Sequence, residues 1–332
     1  MIWIVKRIVR ALVAIFLVLT LTFLLLRLMP GNPIDMLLYQ LMFTRGMDPL
    51  QATEFVRVYY GILPSGPIYL QYLDYLRNLL SGNLGLSITV SPRTPVNSLI
   101  VSMLPWTLLV LSIGITISFS IGILLGMFLA YRRGGKLDST LSTTFSVLSG
   151  IPSYVGALAM LLIFAMTLRI FPPGGTYSSN VTPGWNIYFI GDVLYHAALP
   201  ILTYVILSFG GWAITMKNVT ISVLGEDYVL AAEARGLKKR RITISYVGRN
   251  AILPMFTSLA ISLGNAFGGS LFIEQIFTYT GIGYLTYLGL ANYDYPILQG
   301  CFLLTTISVI VANFIADIGY SFLDPRIKLG EK

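Results

Sequence analysis

The chain has 332 residues, of which 55% are hydrophobic and 11% are charged, and its formal net charge is +8. Water-soluble domains carry about 25% charged residues, so the composition excludes an ordinary soluble domain and indicates a membrane protein. The basic residues cluster beside the ends of apolar stretches, which argues against a nucleic-acid-binding surface. Cys301 and His196 are the only residues of their types, which excludes a disulfide framework and argues against zinc or haem sites.

The first predicted element is an apolar run from Ala11 to Leu26 that follows Lys6, Arg7 and Arg10. Its charge pattern resembles a signal peptide, but no A-x-A-like cleavage site follows it. We therefore interpret it as a retained first transmembrane helix, spanning about 8–28.

Five further stretches are long enough to cross a hydrocarbon layer of about 30 Å. The sequence thus predicts an all-α integral membrane protein of about six transmembrane helices. Gly150, Ile151 and Pro152 predict a bend, because proline removes a backbone hydrogen bond. The other predicted spans are 106–130, 141–168, 197–216, 252–273 and 297–322. Cys301 falls within the last span and is predicted to be a small buried hydrophobe.

The distribution of basic charge predicts the orientation of these spans. Counted over alternate connections, sixteen of the 22 Lys and Arg residues fall on one side. Cytoplasmic loops carry an excess of Lys and Arg, so this side is predicted to face the cytoplasm. Both termini would then be cytoplasmic in a multi-pass protein of the cell membrane.

Between the first two spans lies a mixed polar and aromatic segment, predicted to be an external lobe. Helical periodicity appears over 50–60 and 67–80, and Ser81, Gly82 and Asn83 predict a turn. The lobe has two interpretations: a structural lid for the first helix, or a docking surface for an extracellular partner.

The segment 218–250 is long and strongly basic, and it is predicted to be cytoplasmic. Glu226 and Asp227 lie where a helix N-terminus favours anions, and Gly236 favours a helix stop. The enclosed helix of about ten residues, roughly 15 Å long, is too short to span a bilayer. One face of it, predicted from helical spacing, combines Tyr228, Ala231, Ala232 and Arg235.

That short helix has two interpretations from its residues alone. Alanines allow close approach of another protein surface, with the aromatic ring and guanidinium as anchors. Alternatively the helix lies under the lipid headgroups, with the basic run 238–241 attracted to anionic lipid.

Several strings together resemble a known family. The segment 225–237, GEDYVLAAEARGL, followed by RNAILP at 249–254, resembles the cytoplasmic coupling loop of binding-protein-dependent ABC importer permeases. Strings elsewhere resemble the first permease of the dipeptide and oligopeptide importers: PGNP at 30–33, GNLGLS at 82–87, His196 with LP at 199–200, TGIG at 280–283, DYP at 294–296 with QG at 299–300, and DPRI at 324–327. Leu230 departs from the general importer pattern, which has Glu there.

The resemblance implies the architecture of a type I ABC importer permease with an external helical lobe. It divides the chain into a first helix plus lobe (1–98), a transmembrane core (99–322) with the coupling loop 218–250, and a cytoplasmic tail (323–332). The chain would form half of a peptide translocation path and couple to ATPase subunits. The residues implied in that coupling are Glu226, Asp227, Tyr228, Ala231, Ala232, Arg235 and Gly236.

The implied partners are a sister permease in a heterodimer, two ABC ATPase subunits, an extracellular substrate-binding protein and membrane lipid. The sequence lacks a G-x-x-x-x-G-K-[ST] phosphate-binding loop, so this subunit is not expected to be an enzyme. ATP and Mg²⁺ would be bound by the ATPase subunits, and no cofactor is expected here. Oligosaccharides or nickel remain alternative substrates.

Polar residues in or beside the spans are few, and each is costly to bury in lipid. Arg169, Lys217 and Glu274 are predicted to snorkel at span ends. Asn265 and Gln275 are candidates to line the path, and Asp317 is the deepest acid. An ion-gradient-driven transporter and a membrane-embedded enzyme are the rival classes. Both are disfavoured, because the spans show no internal repeat and no catalytic cluster.

Overall fold

The computed structural model describes residues 2–28, 33–56 and 67–323. Within these ranges every regular element is a helix, and one isolated antiparallel bridge joins Leu86 and Pro95. The helices are α1 (Ile2–Leu28), α2 (Pro33–Arg45), α3 (Pro49–Phe55), α4 (Ile68–Leu80), α5 (Val96–Tyr131), α6 (Lys136–Gly150), α7 (Ser153–Met160, continued by a π-helix Leu161–Thr167), α8 (Ile187–Leu224), α9 (Asp227–Ala234), α10 (Lys239–Arg241, continued by a π-helix Ile242–Gly248), α11 (Arg249–Ala266), α12 (Leu271–Ile276), α13 (Ile282–Ala291) and α14 (Tyr295–Leu323).

The described residues contain four helices that are long and apolar enough to cross a membrane, in α1, α5, α8 and α14. A fifth span results if α6 and the α7 segment are one broken span, bent by 95°. The break falls at Ile151 and Pro152, where a bend was predicted. The prediction of an all-α membrane protein is confirmed.

One predicted span is wrong, because residues 252–273 do not form a single helix. In its place α11 ends at Ala266 and α12 begins at Leu271. Gly269 between them has a φ of +76°, a left-handed conformation that ends an α-helix. Hydropathy alone did not place this break, although the string Gly268-Gly269-Ser270 is a turn signal in the sequence.

Of the spans that are longer than predicted, α8 and α5 differ most from the prediction. Helix α8 begins at Ile187 rather than 197, because the side chain of Asn186 caps it by accepting a hydrogen bond from the Phe189 N–H at 2.8 Å. Helix α5 begins at Val96 and continues through Pro105. At 36 residues α5 is about 54 Å long, which exceeds the hydrocarbon thickness.

The described chain forms two compact units that interleave in sequence. The first comprises residues within 1–107, 267–271 and 280–308, and the second comprises the rest. The core of the first unit joins the start of α5, α13 and the start of α14. Its buried residues are Val96, Ile100, Ile282, Leu285, Ile297 and Cys301. Cys301 is 1% exposed, which confirms its prediction as a buried hydrophobe.

In the second unit, α5 packs on α8 with almost no space between the backbones. A Cβ atom added at Gly126 would lie 2.4 Å from the carbonyl oxygen of Ala213 and 2.7 Å from the Cβ of Met216. At Gly122, one turn earlier, it would lie 2.3 Å from the Cβ of Trp212. Small residues at such positions let membrane helices approach closely.

We expect Gly126→Ala to destabilise the protein by about 2 kcal/mol, because the methyl group overpacks a contact with backbone atoms that cannot move aside. The measurement is the thermal unfolding midpoint in detergent. Gly191→Ala in α8 is the matched control, since nothing lies within 4 Å of a Cβ there. Equal midpoints for the two variants would contradict the close α5–α8 packing.

Candidate functional site

The short helix predicted in the basic segment is present as α9, Asp227–Ala234. Glu226 precedes it in an extended conformation, with φ −76° and ψ 141°. Asp227 lies in the first turn, where a carboxylate interacts favourably with the positive end of the helix dipole. At eight residues the helix is about 12 Å long and cannot span a bilayer.

Gly236 ends α9, as its position in the sequence predicted. Its φ is +70°, which L-residues with a side chain adopt only with strain. The Gly236 N–H donates to the Glu233 carbonyl at 2.9 Å, and the Leu237 N–H donates to the Ala232 carbonyl at 3.3 Å. This pair of bonds is a Schellman motif, which satisfies the last carbonyls of α9 and turns the chain toward α10.

The inner face of α9 rests on the protein's own core. Val229 is fully buried and Ala232 is 3% exposed. Both belong to a cluster with Ile242 and Val247 of the π-helix that follows α10. Ala232 was predicted to lie on the docking face, and that assignment is wrong. Its small side chain allows the π-helix, not a partner, to approach α9.

The outer face of α9 is apolar at its centre and charged at its ends. Tyr228 and Leu230 are 39% and 53% exposed, and Ala231 and Ala234 are also exposed. Charged residues surround them, namely Glu226, Asp227, Glu233 and Arg235, all exposed. The sequence reasoning missed Leu230 and Ala234 as members of this surface. Helical spacing places Leu230, Ala234 and Ala231 on the side away from Val229, but it does not say which side of the helix faces the protein core.

A side-chain bridge ties the outer face to α11. The Asn250 amide donates to the Tyr228 hydroxyl at 3.0 Å and to the Tyr246 carbonyl at 2.7 Å. Leu224 at the end of α8 and Leu237 after α9 also pack against the buried cluster. Side-chain contacts thus attach α9 to the end of α8, to the π-helix and to the start of α11.

Lys217 does not snorkel, contrary to prediction. Its ammonium forms an ion pair with Asp138 and donates to the Ser142 hydroxyl at 2.9 Å, with both charged side chains at most 15% exposed. Asp138 also accepts the Gly134 N–H at 3.1 Å. The pair joins α8 to the start of α6. Glu274 was also predicted to snorkel, which is wrong as well, since it is 1% exposed.

The remaining polar candidates lie in other parts of the chain. Asn265 at the end of α11 is exposed, and Gln275 in α12 is partly buried. Arg169 is exposed after the α7 segment. Asp317 lies in α14, in a stretch whose side chains are outside the described residues. His196 is held within α8, where Nδ1 lies 2.9 Å from the Asp192 carbonyl oxygen.

The sequence of this chain is similar to that of known transport proteins. The profile of a family described as "Binding-protein-dependent transport system inner membrane component" matches residues 122–329, which include α9 and its base. The oligopeptide transport system permease protein AppB of Bacillus subtilis is 31% identical over 312 residues, 93% of each chain. The oligopeptide transport system permease protein OppB of Haemophilus influenzae is 31% identical over 324 residues, 97% of this chain and 98% of its own.

Among solved structures, the methionine ABC transporter MetNI in an inward-facing conformation has a similar fold. The TM-score is 0.56 at 18% sequence identity, over 68% of this chain and 97% of that one. At this identity the likeness concerns the fold alone.

Proposed function

Because the chain belongs to the family of binding-protein-dependent transport system inner membrane components, we propose that it is the peptide-translocating permease subunit of an ATP-driven importer. The names of the relatives over nearly the whole chain, which refer to oligopeptide transport, support the substrate class. Oligosaccharide or nickel uptake by the same architecture is the alternative.

The proposal depends on the exposed outer face of α9. It presents exposed apolar side chains, Leu230 among them, on a helix whose opposite face is locked into the protein core. Exposed apolar residues ringed by charge are typical of a protein contact surface. We assign this surface to contact with an ATPase subunit, because the chain itself has no phosphate-binding loop.

The proposed assembly contains a sister permease, two ABC ATPases that bind ATP and Mg²⁺, and an external substrate-binding protein. The excess of Lys and Arg near α9 supports a cytoplasmic location for it, with both termini on the same side. The external lobe would then face the substrate-binding protein. Asn265 and Gln275 stay candidates for the path.

The proposed mechanism is alternating access driven through α9. Closure of the ATPase pair would displace α9, and its attachments to α8 and α11 would carry that displacement into the transmembrane bundle. For ATP to control the cycle, its binding must change the relative free energies of the inward-open and outward-open forms. A rigid helix transmits such a bias, whereas a flexible loop would absorb it.

The test is transport by the assembled complex in proteoliposomes. We expect uptake of a labelled dipeptide that requires ATP and the substrate-binding protein and that persists when ionophores collapse ion gradients. Competition by unlabelled dipeptide, but not by an oligosaccharide or Ni²⁺, would support the peptide assignment. Uptake without ATP that stops with the ionophore would contradict an ATP-driven importer.

A further inference from the structure

The first unit contains a cavity of about 300 Å³ that none of the roles above uses. It lies between the end of α1, the middle of α4, the turn at 83–85 and the start of α14. Its volume is at the lower end of the range for small-molecule sites, about 300–1,000 Å³. Lining residues come from three of the strings that resemble the permease family, at 82–87, 294–296 and 299–300.

Arg27 supplies a positioned positive charge at this cavity. Its guanidinium lies 5.6 Å from the ring centre of Phe23 and 5.9 Å from that of Tyr295, both buried rings. Contact with aromatic rings holds the guanidinium while leaving N–H donors at its edge. No carboxylate among the described residues forms an ion pair with it. The donors are therefore available to an anionic group.

Asp74, from α4, supplies the opposite charge to the same cavity. Its carboxylate is exposed, and in the described part of the chain it forms no ion pair with Arg27 or another cation. A carboxylate and a guanidinium that line one cavity without pairing are complementary to a ligand that carries both signs of charge.

Tyr75, which also lines this cavity, adds an unsatisfied hydroxyl. The oxygen is buried and has no hydrogen-bond partner among the described residues. Burial raises the pKa of Tyr75 to about 12, so the hydroxyl keeps its proton at neutral pH. Leaving a buried hydroxyl unpaired is costly, which favours a polar ligand atom beside it. The amides of Asn78 and Gln299 line the cavity as further donors and acceptors.

The walls are fixed by contacts within the first unit. The Tyr75 ring stacks on Phe23 with centres 5.5 Å apart, and the hydroxyls of Tyr72 and Thr20 are 2.6 Å apart, which joins α4 to α1. The Gly85 carbonyl accepts the Val96 N–H at 3.0 Å. A cavity with rigid walls requires little reorganisation on binding.

We propose that this cavity binds a small zwitterion, with its anionic group on Arg27 and its primary ammonium on Asp74. Two sources offer that chemistry: a free amino acid or short peptide, and the headgroup of an aminophospholipid at the end of the α1 span. The inference rests on the charges that line the cavity and not on α9, although its short-peptide source shares the substrate class of the proposed function. Absence of binding here together with intact ATP-driven uptake would contradict this inference and leave the proposed function standing.

Binding to the full chain in phosphatidylglycerol nanodiscs tests the proposal. The first arm titrates Ala-Ala by calorimetry and compares its N-acetylated and C-amidated forms. The second arm adds phosphatidylethanolamine and counts retained lipids by native mass spectrometry. We expect one of the two probes to bind, and Asp74→Asn to weaken binding at least 10-fold through loss of a charge-assisted contact.

Arg27→Gln should weaken the same probe at least 10-fold, and Arg27→Lys should retain part of the affinity. Arg77→Gln and Glu54→Gln are matched controls, since both residues are exposed and neither lines the cavity. Unchanged unfolding midpoints for Asp74→Asn would show that its effect is on binding. Absence of binding by both probes, or binding that both Asp74→Asn and Arg27→Gln leave intact, would overturn the proposal.

Discussion

Replacing Ala231 with Trp should reduce ATP-driven uptake at least 10-fold while leaving membrane insertion and the unfolding midpoint unchanged. Ala231 is exposed on the outer face of α9, so the indole has room in the isolated subunit. In the assembled importer it would separate α9 from the ATPase surface, and a loss of about 1.4 kcal/mol of contact energy already corresponds to a factor of ten. The measurement is dipeptide uptake per ATP hydrolysed in proteoliposomes.

Two controls make this prediction specific. Ala232→Trp places the same side chain in the buried cluster beneath α9, so it should lower the unfolding midpoint and the yield of folded protein. Ser139→Trp places it at an exposed position of α6 and should leave uptake normal. Normal coupled uptake in the Ala231→Trp protein would remove the coupling role from α9. Binding of α9 to anionic lipid only, without an ATPase, would have the same consequence.

Replacing Asp294 with Ala should destabilise the protein by about 3 kcal/mol or more. The side chain of Asp294 is fully buried, and its Oδ2 accepts hydrogen bonds from the Ser87 hydroxyl at 2.7 Å and from the N–H groups of Ile88, Thr89 and Val90 at 2.9, 2.9 and 3.1 Å. Alanine would leave these donors buried without an acceptor, at a cost of about 1–3 kcal/mol for each unsatisfied group before water or backbone shifts relieve part of it.

Thermal unfolding in detergent, followed by tryptophan fluorescence, measures this effect. Glu54→Ala is the control, because Glu54 is an exposed carboxylate in the same unit. A loss below about 1 kcal/mol would mean that water replaces Asp294 as the acceptor. A large loss would identify this carboxylate as the link that holds the loop 87–90 to the start of α14.

The sequence by itself determined the features that depend on local composition and backbone chemistry. Apolar length identified the membrane class and four of the spans, because crossing a hydrocarbon layer demands a continuous run. Pro152 predicted the break between α6 and α7 because it lacks an N–H. Gly236 predicted the end of α9 because it adopts a positive φ without strain. The resemblance of the short strings predicted the family.

Only the tertiary structure decided which sides of these helices meet. The orientation of α9 about its own axis leaves Ala232 buried and Leu230 exposed. Helical periodicity does not say which side of a short helix faces its own protein. Lys217 forms an ion pair with Asp138, which lies in another helix and 79 positions away in the chain. The position of Lys217 near a span end did not predict this pair. The cavity beside Arg27 likewise assembles residues far apart in the chain. Such contacts are non-local, and their geometry is set by packing of the whole unit rather than by neighbouring residues.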